Sequence, residues 1–278
     1  MKTLSLGYSP CPNDTFIFYA LTHGKVEMPG FSFIERLEDV ETLNQLALGG
    51  QLDLTKISYH ALGHLRDQYA LLRSGGALGR GCGPLVIAPE ATNMHALRGR
   101  RIAIPGKLTT ANLLLQLYGA GYDDLLVVPF DQIMPALKRG EADAGVIIHE
   151  SRFTYLESGF HEVIDLGCWW ETDTGLPIPL GGILARRALG SATIQGVDRA
   201  IRASLDYALQ HPEEPRTYIR EHAQELDDQV IDAHIDLYVT DCSLDLGEQG
   251  VAAVETLMAR AEQRGLIPKS VEPLFSTD

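Results

Sequence analysis

The chain has 278 residues, 45% hydrophobic and 22% charged, a globular composition that excludes a disordered or collagen-like chain. At roughly 100–200 residues per domain, this length favours two domains, each able to bury a core. Lys and Arg number 23 against 37 Asp and Glu, and the net charge of −14 argues against nucleic-acid partners and against docking to anionic membranes.

No stretch approaches the ~18 consecutive apolar residues of a membrane span. The opening Met1-Lys2-Thr3-Leu4-Ser5-Leu6 has no apolar run of signal-peptide length. The four cysteines, Cys11, Cys82, Cys168 and Cys242, form no closely spaced pair, so neither a structural metal nor a disulfide framework is expected. The cytoplasm is the expected compartment.

In chain order, residues 4–8 alternate as a strand that Pro10 and Pro12 break, and Asn13-Asp14 is placed to cap a helix over 15–23. A strand over 32–35 follows. Asp39 then caps a helix whose Val40, Leu43, Leu46 and Ala47 share a face, ended by Gly49-Gly50. Further strands are expected over 52–56, 85–88, 101–104, 125–128, 144–148 and 182–185, with a helix over 111–118. From 195 onward only helices are read, over 195–210, 213–222, 228–239 and 247–264. Alternating strands and helices followed by a helical tail predict an α/β fold. Apolar positions on the tail helices either pack within the chain or serve a homodimer.

Two internal echoes refine this. Gly50-Gln51-Leu52-Asp53 precedes the strand into Lys56-Ile57-Ser58, and Gly140-Glu141-Ala142-Asp143 precedes the strand into Ile147-Ile148-His149. Both glycines and both aspartates share one offset, and each unit follows a helix expected to be capped by Asp39 or Asp131. The opening strand, loop and helix are likewise echoed by 101–118. Two echoes in one order predict two related α/β lobes. The expected division is a discontinuous first domain, 1–88 and 180–278, with a second domain over 89–179. Ligands of open α/β sheets collect at the carboxyl ends of the strands, which gathers four loops, 9–14, 56–58, 105–110 and 149–152, at one cleft.

His149 ends an apolar strand, where an imidazole either accepts and returns a proton or merely satisfies a loop hydrogen bond. Thr109-Thr110-Ala111 opens a helix after Pro105-Gly106, a spot suited equally to an anionic group and to ordinary capping. Lys56 interrupts an apolar strand that Ser58 closes, so its ammonium needs a partner or ligand unless its stem snorkels to water. Arg80 and Arg152 are candidates to reach the cleft, where a few local cations outweigh the distant acidic surface. The glycine-rich Gly79-Arg80-Gly81-Cys82-Gly83-Pro84 lacks a dinucleotide or P-loop pattern, so no nucleotide cofactor is expected. Trp169-Trp170 either walls an aromatic ligand or anchors the core.

At these residues the chain resembles a known family. Ser9-Pro10-Cys11-Pro12-Asn13-Asp14-Thr15-Phe16, Asp39–Asn44, Thr55–Ser58, Gly79-Arg80-Gly81, Ile148-His149-Glu150-Ser151-Arg152-Phe153-Thr154-Tyr155 and Gly175–Gly181 are similar to the 1,4-dihydroxy-6-naphthoate synthases of the futalosine route to menaquinone. The resemblance implies a two-lobed fold of the type II periplasmic-binding-protein kind. It also implies conversion of cyclic dehypoxanthine futalosine, an anionic small-molecule substrate, to 1,4-dihydroxy-6-naphthoate with loss of the ribose-derived fragment and without metal or redox cofactor. The family's proton acceptor falls on His149, and its substrate contacts fall on Lys56, Ile57, Ser58, Thr110 and Ala111. Two rivals share the scaffold, a solute-binding receptor and the chorismate dehydratase of the same pathway.

Overall fold

A computed structural model describes residues 1–223 and 227–276. Two sheets organise the chain. The first contains β1 (Lys2–Tyr8), β2 (Phe31–Leu37), β3 (Leu54–Ser58), β4 (Tyr69–Leu71) and β5 (Ala77–Gly79). The second contains β6 (Leu85–Ala88), β7 (Ile102–Ile104), β8 (Leu125–Val127), β9 (Ala144–Ile147) and β10 (His161–Asp165), and β11 (Ile178–Arg186) returns to the first. The strand orders are β2-β1-β3-β11-β4, with β5 also on β11, and β8-β7-β9-β6-β10.

The two orders are the same arrangement used twice. In each sheet the first strand lies parallel to the next two, β1 to β2 and β3, β7 to β8 and β9. In each, an antiparallel strand from the other half of the crossover comes next, β11 beside β3 and β6 beside β9, inside the edge strands. The chain therefore enters the second sheet already at Leu85, ahead of the crossover expected after Ala88.

The Gly-x-x-Asp echo does the same job in each lobe. Gly50 and Gly140 both adopt positive φ, 62° and 71°, where a side chain would be strained. The following aspartate then turns back to the lobe's first strand: Asp53 Oδ2 accepts the Ser5 amide at 3.0 Å, and Asp143 Oδ2 accepts the Arg101 amide at 3.0 Å. The aspartate is thus a tie between the first and third strands of each unit.

Helices fill the layers between these strands. Asp39 caps Val40–Leu48 as expected, accepting the amides of Glu41 and Thr42. The first helix is Pro12–Thr22, with Cys11 as its cap residue and Pro12 in its first turn. It starts earlier than expected because proline is preorganised for a first helical position; Asn13 and Asp14 therefore lie inside the helix and do not cap it. Asp131 also fails as a cap: it sits in a short 3-10 turn before the Ile133–Lys138 helix, whose preceding residue is Gln132. The strands at Tyr69–Leu71, Ala77–Gly79 and His161–Asp165 were not expected; two are three residues long, too short to show alternation.

The tail helices Ser191–Gln210, Arg216–His222, Asp228–Tyr238 and Gly247–Gln263 fold back on the two lobes. Ile194, Val197, Ile201 and Leu205 join the core of β1 and the Pro12–Thr22 helix, and Val254 and Leu257 join the core that also holds Ile57 and Leu113. Fully buried Ser204 accepts the Leu21 amide at 3.0 Å and donates to the Ile17 carbonyl at 2.7 Å, which fixes the helix crossing without an orphaned hydroxyl.

The half-buried Asp53 also accepts the Ser5 hydroxyl at 3.0 Å, whereas Asp143 is exposed. Asp53→Ala is expected to cost about 1.5–3 kcal/mol in urea unfolding, as for hydrogen bonds to a charged group, and Asp143→Ala less. Equal losses would show that the two ties are not ranked by burial.

Candidate active site

The carboxyl ends of β1, β3, β7 and β9 meet between the lobes, around a partly open cavity of about 90 Å³. All four expected loops contribute: Ser9, Asn13 and Asp14; Lys56, Ile57 and Ser58; Thr109, Thr110 and Ala111; and Ile148 with His149. The six residues named from sequence as the site thus share one cleft. Cys82–Pro84, Leu180-Gly181 and Tyr238 complete its wall.

His149 follows the end of β9 with φ 56°, alone among described non-glycine residues in the left-handed region. Histidine tolerates this conformation better than a branched residue, yet it still carries strain of the kind that clusters at functional sites. The half-buried ring lies 5.0 Å from that of Phe130, and burial pushes its pKa down to about 4. The charge of Asp14 opposes that shift and the charge of Lys56 adds to it. At neutral pH the ring is therefore an uncharged proton acceptor.

Lys56 is 5% exposed and does not snorkel. Its Nζ donates to Asp14 Oδ1 at 2.7 Å and to the Gly75 carbonyl at 3.2 Å. Asp14 is held in turn by the Ser9 amide and hydroxyl and by Asn13 Nδ2 at 2.9 Å. Asn13 Oδ1 meets Nε2 of His234 at 2.9 Å. Because the Asn13 amide donates to Asp14, its oxygen must accept, so His234 carries its proton on Nε2. The fully buried His234 ring lies nearly parallel to that of His149, at 8° and 6.1 Å between centroids.

Ser58 is held by Asn44, whose Oδ1 accepts the Ser58 amide at 3.0 Å and whose Nδ2 donates to the Ser58 hydroxyl at 3.3 Å. Thr109 caps the Thr110–Tyr118 helix by accepting the Asn112 amide at 3.2 Å, and the first-turn amides of Thr110 and Ala111 have no partner within the helix. The Thr110 hydroxyl accepts the Tyr59 amide at 2.9 Å and donates to the Leu180 carbonyl at 2.5 Å. Glu41 also crosses between the lobes, accepting the Leu108 amide at 3.2 Å. A Cβ on Gly106 would lie 2.4 Å from that carboxylate, so only glycine admits this contact. The two crossings hold the lobes together around the cleft.

Two expected cations are engaged elsewhere. Arg80 is exposed, donates to the Gly175 carbonyl at 2.9 Å and lies 3.7 Å from Glu171. Arg152 pairs with Asp165 at 2.7 Å and donates to the Gly83 carbonyl. Neither lines the cleft, so Lys56 and the helix amides are its positive groups, and Lys56 is already neutralised by Asp14. Trp170 is a core anchor, fully buried with Nε1 donating to the Pro177 carbonyl at 3.0 Å, and Trp169 packs edge-on against Tyr118.

Sequence reasoning missed Asp14 as the partner of Lys56, and it passed over His234 and Tyr238. The spacing of Ile231, His234 and Tyr238 on one face of the Asp228–Tyr238 helix was the available signal, since a histidine on a buried face needs a partner. Cys11, His149 and Glu150 present metal-ligating atoms all within 4.8 Å of one another. No spacing rule anticipates that trio, because the fold alone brings Cys11 to the end of β9.

Removing one member of a buried ion pair strands the other. Lys56→Met is therefore expected to lower unfolding free energy by about 3–5 kcal/mol, with Lys56→Met/Asp14→Asn recovering part of the loss. A single variant as stable as the parent would remove the pair from the structural account.

Comparison with known proteins fits this geometry. A family model described as menaquinone biosynthesis matches residues 4–263. A 1,4-dihydroxy-6-naphthoate synthase of Thermus thermophilus is 57% identical over 275 residues, covering 99% of this chain and 100% of that protein. A protein of the same name from Streptomyces coelicolor is 49% identical over 272 residues, covering 96% and 95%. The alkanesulfonate-binding protein of Xanthomonas axonopodis pv. citri, solved with bound MOPS, superposes with a TM-score of 0.73 at 16% identity over 97% of this chain and 95% of its own, which shows a shared periplasmic-binding-protein fold. Two lobes built on one repeated sheet, a cleft at their strand ends and this extent of similarity together make the chain a member of the menaquinone biosynthesis family.

Proposed function

We propose that the protein is a carbon–carbon lyase that converts cyclic dehypoxanthine futalosine to 1,4-dihydroxy-6-naphthoate, with His149 as proton acceptor. The observation that carries this reading is the uncharged imidazole of His149 at the strand end facing the cleft. Near-full-length similarity to two synthases of that name supports the substrate assignment.

In this reading the neutral ring takes a proton from carbon of the spiro-linked substrate. The electron pair left behind drives cleavage of the carbon–carbon bond to the ribose-derived fragment as the ring system becomes aromatic. The imidazolium then returns its proton to the departing fragment. An acceptor with a pKa near 4 is a weak base, and efficiency improves as the pKa nears the working pH. An anionic substrate in the same cleft supplies that correction, because a nearby negative charge favours the imidazolium. The first-turn amides of Thr110 and Ala111 hold the substrate carboxylate at the positive end of their helix. Ile57, Ser58 and the Lys56–Asp14 pair form the facing wall that orients the ring and its hydroxyls.

A cytoplasmic location belongs to the same reading. It is supported by four free cysteines, two of them not buried, as a reducing compartment permits. Among the described residues no helix is long and apolar enough to cross a membrane.

Incubation with cyclic dehypoxanthine futalosine should release naphthoate absorbance, whereas chorismate should be unchanged; the reverse would favour the dehydratase. His149→Asn should cut turnover by about 10²–10⁴-fold while sparing binding. Unaltered turnover would remove His149 from the mechanism.

The acid limb of kcat/KM follows from the same ring. His149 must be unprotonated to accept, so kcat/KM should hold as pH falls through 6.5 and decline only as it approaches about 4. A decline centred near 6.5, with the fold intact by circular dichroism, would contradict a desolvated acceptor.

A further inference from the structure

We propose that Cys11, His149 and Glu150 form a binding site for a borderline-soft divalent cation such as Zn²⁺, which bridges the two lobes through the thiolate, imidazole and carboxylate. Their ligand atoms all lie within 4.8 Å of one another. Cys11 stands at the cap position of the Pro12–Thr22 helix in the first lobe, and the other two follow β9 in the second. Sulfur, nitrogen and oxygen in one cluster are a characteristic donor set for zinc. Zinc–ligand bonds of about 2.0–2.3 Å require donors roughly 3.3–3.8 Å apart, so the trio closes on a cation by side-chain shifts of about 1 Å.

The surroundings favour capture. Cys11 and Glu150 are each 3% exposed, so a bound cation is shielded from water. An independent observation points to the same place. His234 is fully buried, its Nδ1 has no hydrogen-bond partner, and that atom lies 3.9 Å from Glu150 Oε1. With the His234 proton on Nε2, Nδ1 carries a lone pair 3.9 Å from the Glu150 carboxylate, at the edge of the cluster.

The consequence for turnover rests on the proposed function: a cation on His149 occupies the proton acceptor and holds the lobes shut. The site is then inhibitory, distinct from any cofactor the reaction uses.

Titration with Co²⁺ as the probe tests the site directly. The intact protein should bind one equivalent with a thiolate-to-metal charge-transfer band. Cys11→Ser should lose that band, and His149→Asn should bind at least about tenfold more weakly. Serine is a favoured helix cap, so Cys11→Ser should fold. Replacing exposed Cys168 and half-buried Cys242 together should leave the band intact. Absence of the band, or its persistence in Cys11→Ser, would overturn the site. Zn²⁺ should inhibit turnover reversibly on chelation, and less in Cys11→Ser. One-equivalent binding that depends on Cys11 but leaves turnover untouched would uphold the site and contradict His149 as the acceptor.

Discussion

The buried pair of Lys56 and Asp14 is the interaction on which the cleft depends. A lysine ammonium at the end of an apolar strand is tolerated only because a carboxylate from the first helix meets it at 2.7 Å. That carboxylate is in turn fixed by Ser9 and Asn13, and Asn13 reaches the tail helix through His234. One chain of polar contacts therefore joins β3, the opening helix and the C-terminal tail. It also keeps the centre of the cleft electrically balanced, so that the first-turn amides of Thr110 and Ala111 are its remaining positive groups.

The repeated sheet explains why chemistry gathers at this point. Each lobe lays its first strand between two parallel neighbours and ties the third strand back with an aspartate, Asp53 in one and Asp143 in the other. Facing the two units toward each other brings four strand ends together. His149 then emerges from β9 in a left-handed turn, where the packing of Phe130 and the surrounding desolvation hold it uncharged. The fold is shared with solute receptors, so the difference between holding a ligand and transforming it rests on such placed groups.

Much of this was legible in the sequence. The helix capped by Asp39, the Gly-x-x-Asp echo and the helix opening at Thr110 are local signals, and local signals survive without tertiary knowledge. The four loops of the cleft followed from the echo and the strand-end rule. What stayed hidden was long-range. Asp14 lies far in sequence from Lys56, and its place in a Ser-Pro-Cys-Pro-Asn-Asp stretch reads as a cap when proline has in fact started the helix earlier. Arg80 and Arg152 carry the right charge, but only coordinates reveal that Gly175, Asp165 and Gly83 engage them. His234 was obscured because a buried histidine on an amphipathic helix has the same periodicity as its apolar neighbours.

The central claim is that a neutral imidazole at the end of β9 accepts the proton and is tuned by the anion it serves. The most direct test is an NMR titration of the His149 ring, free and with the naphthoate product bound. The account predicts a value of about 4 in the free protein and a higher one beside the product carboxylate. A free value at the ordinary 6.5, or no response to the bound anion, would contradict it.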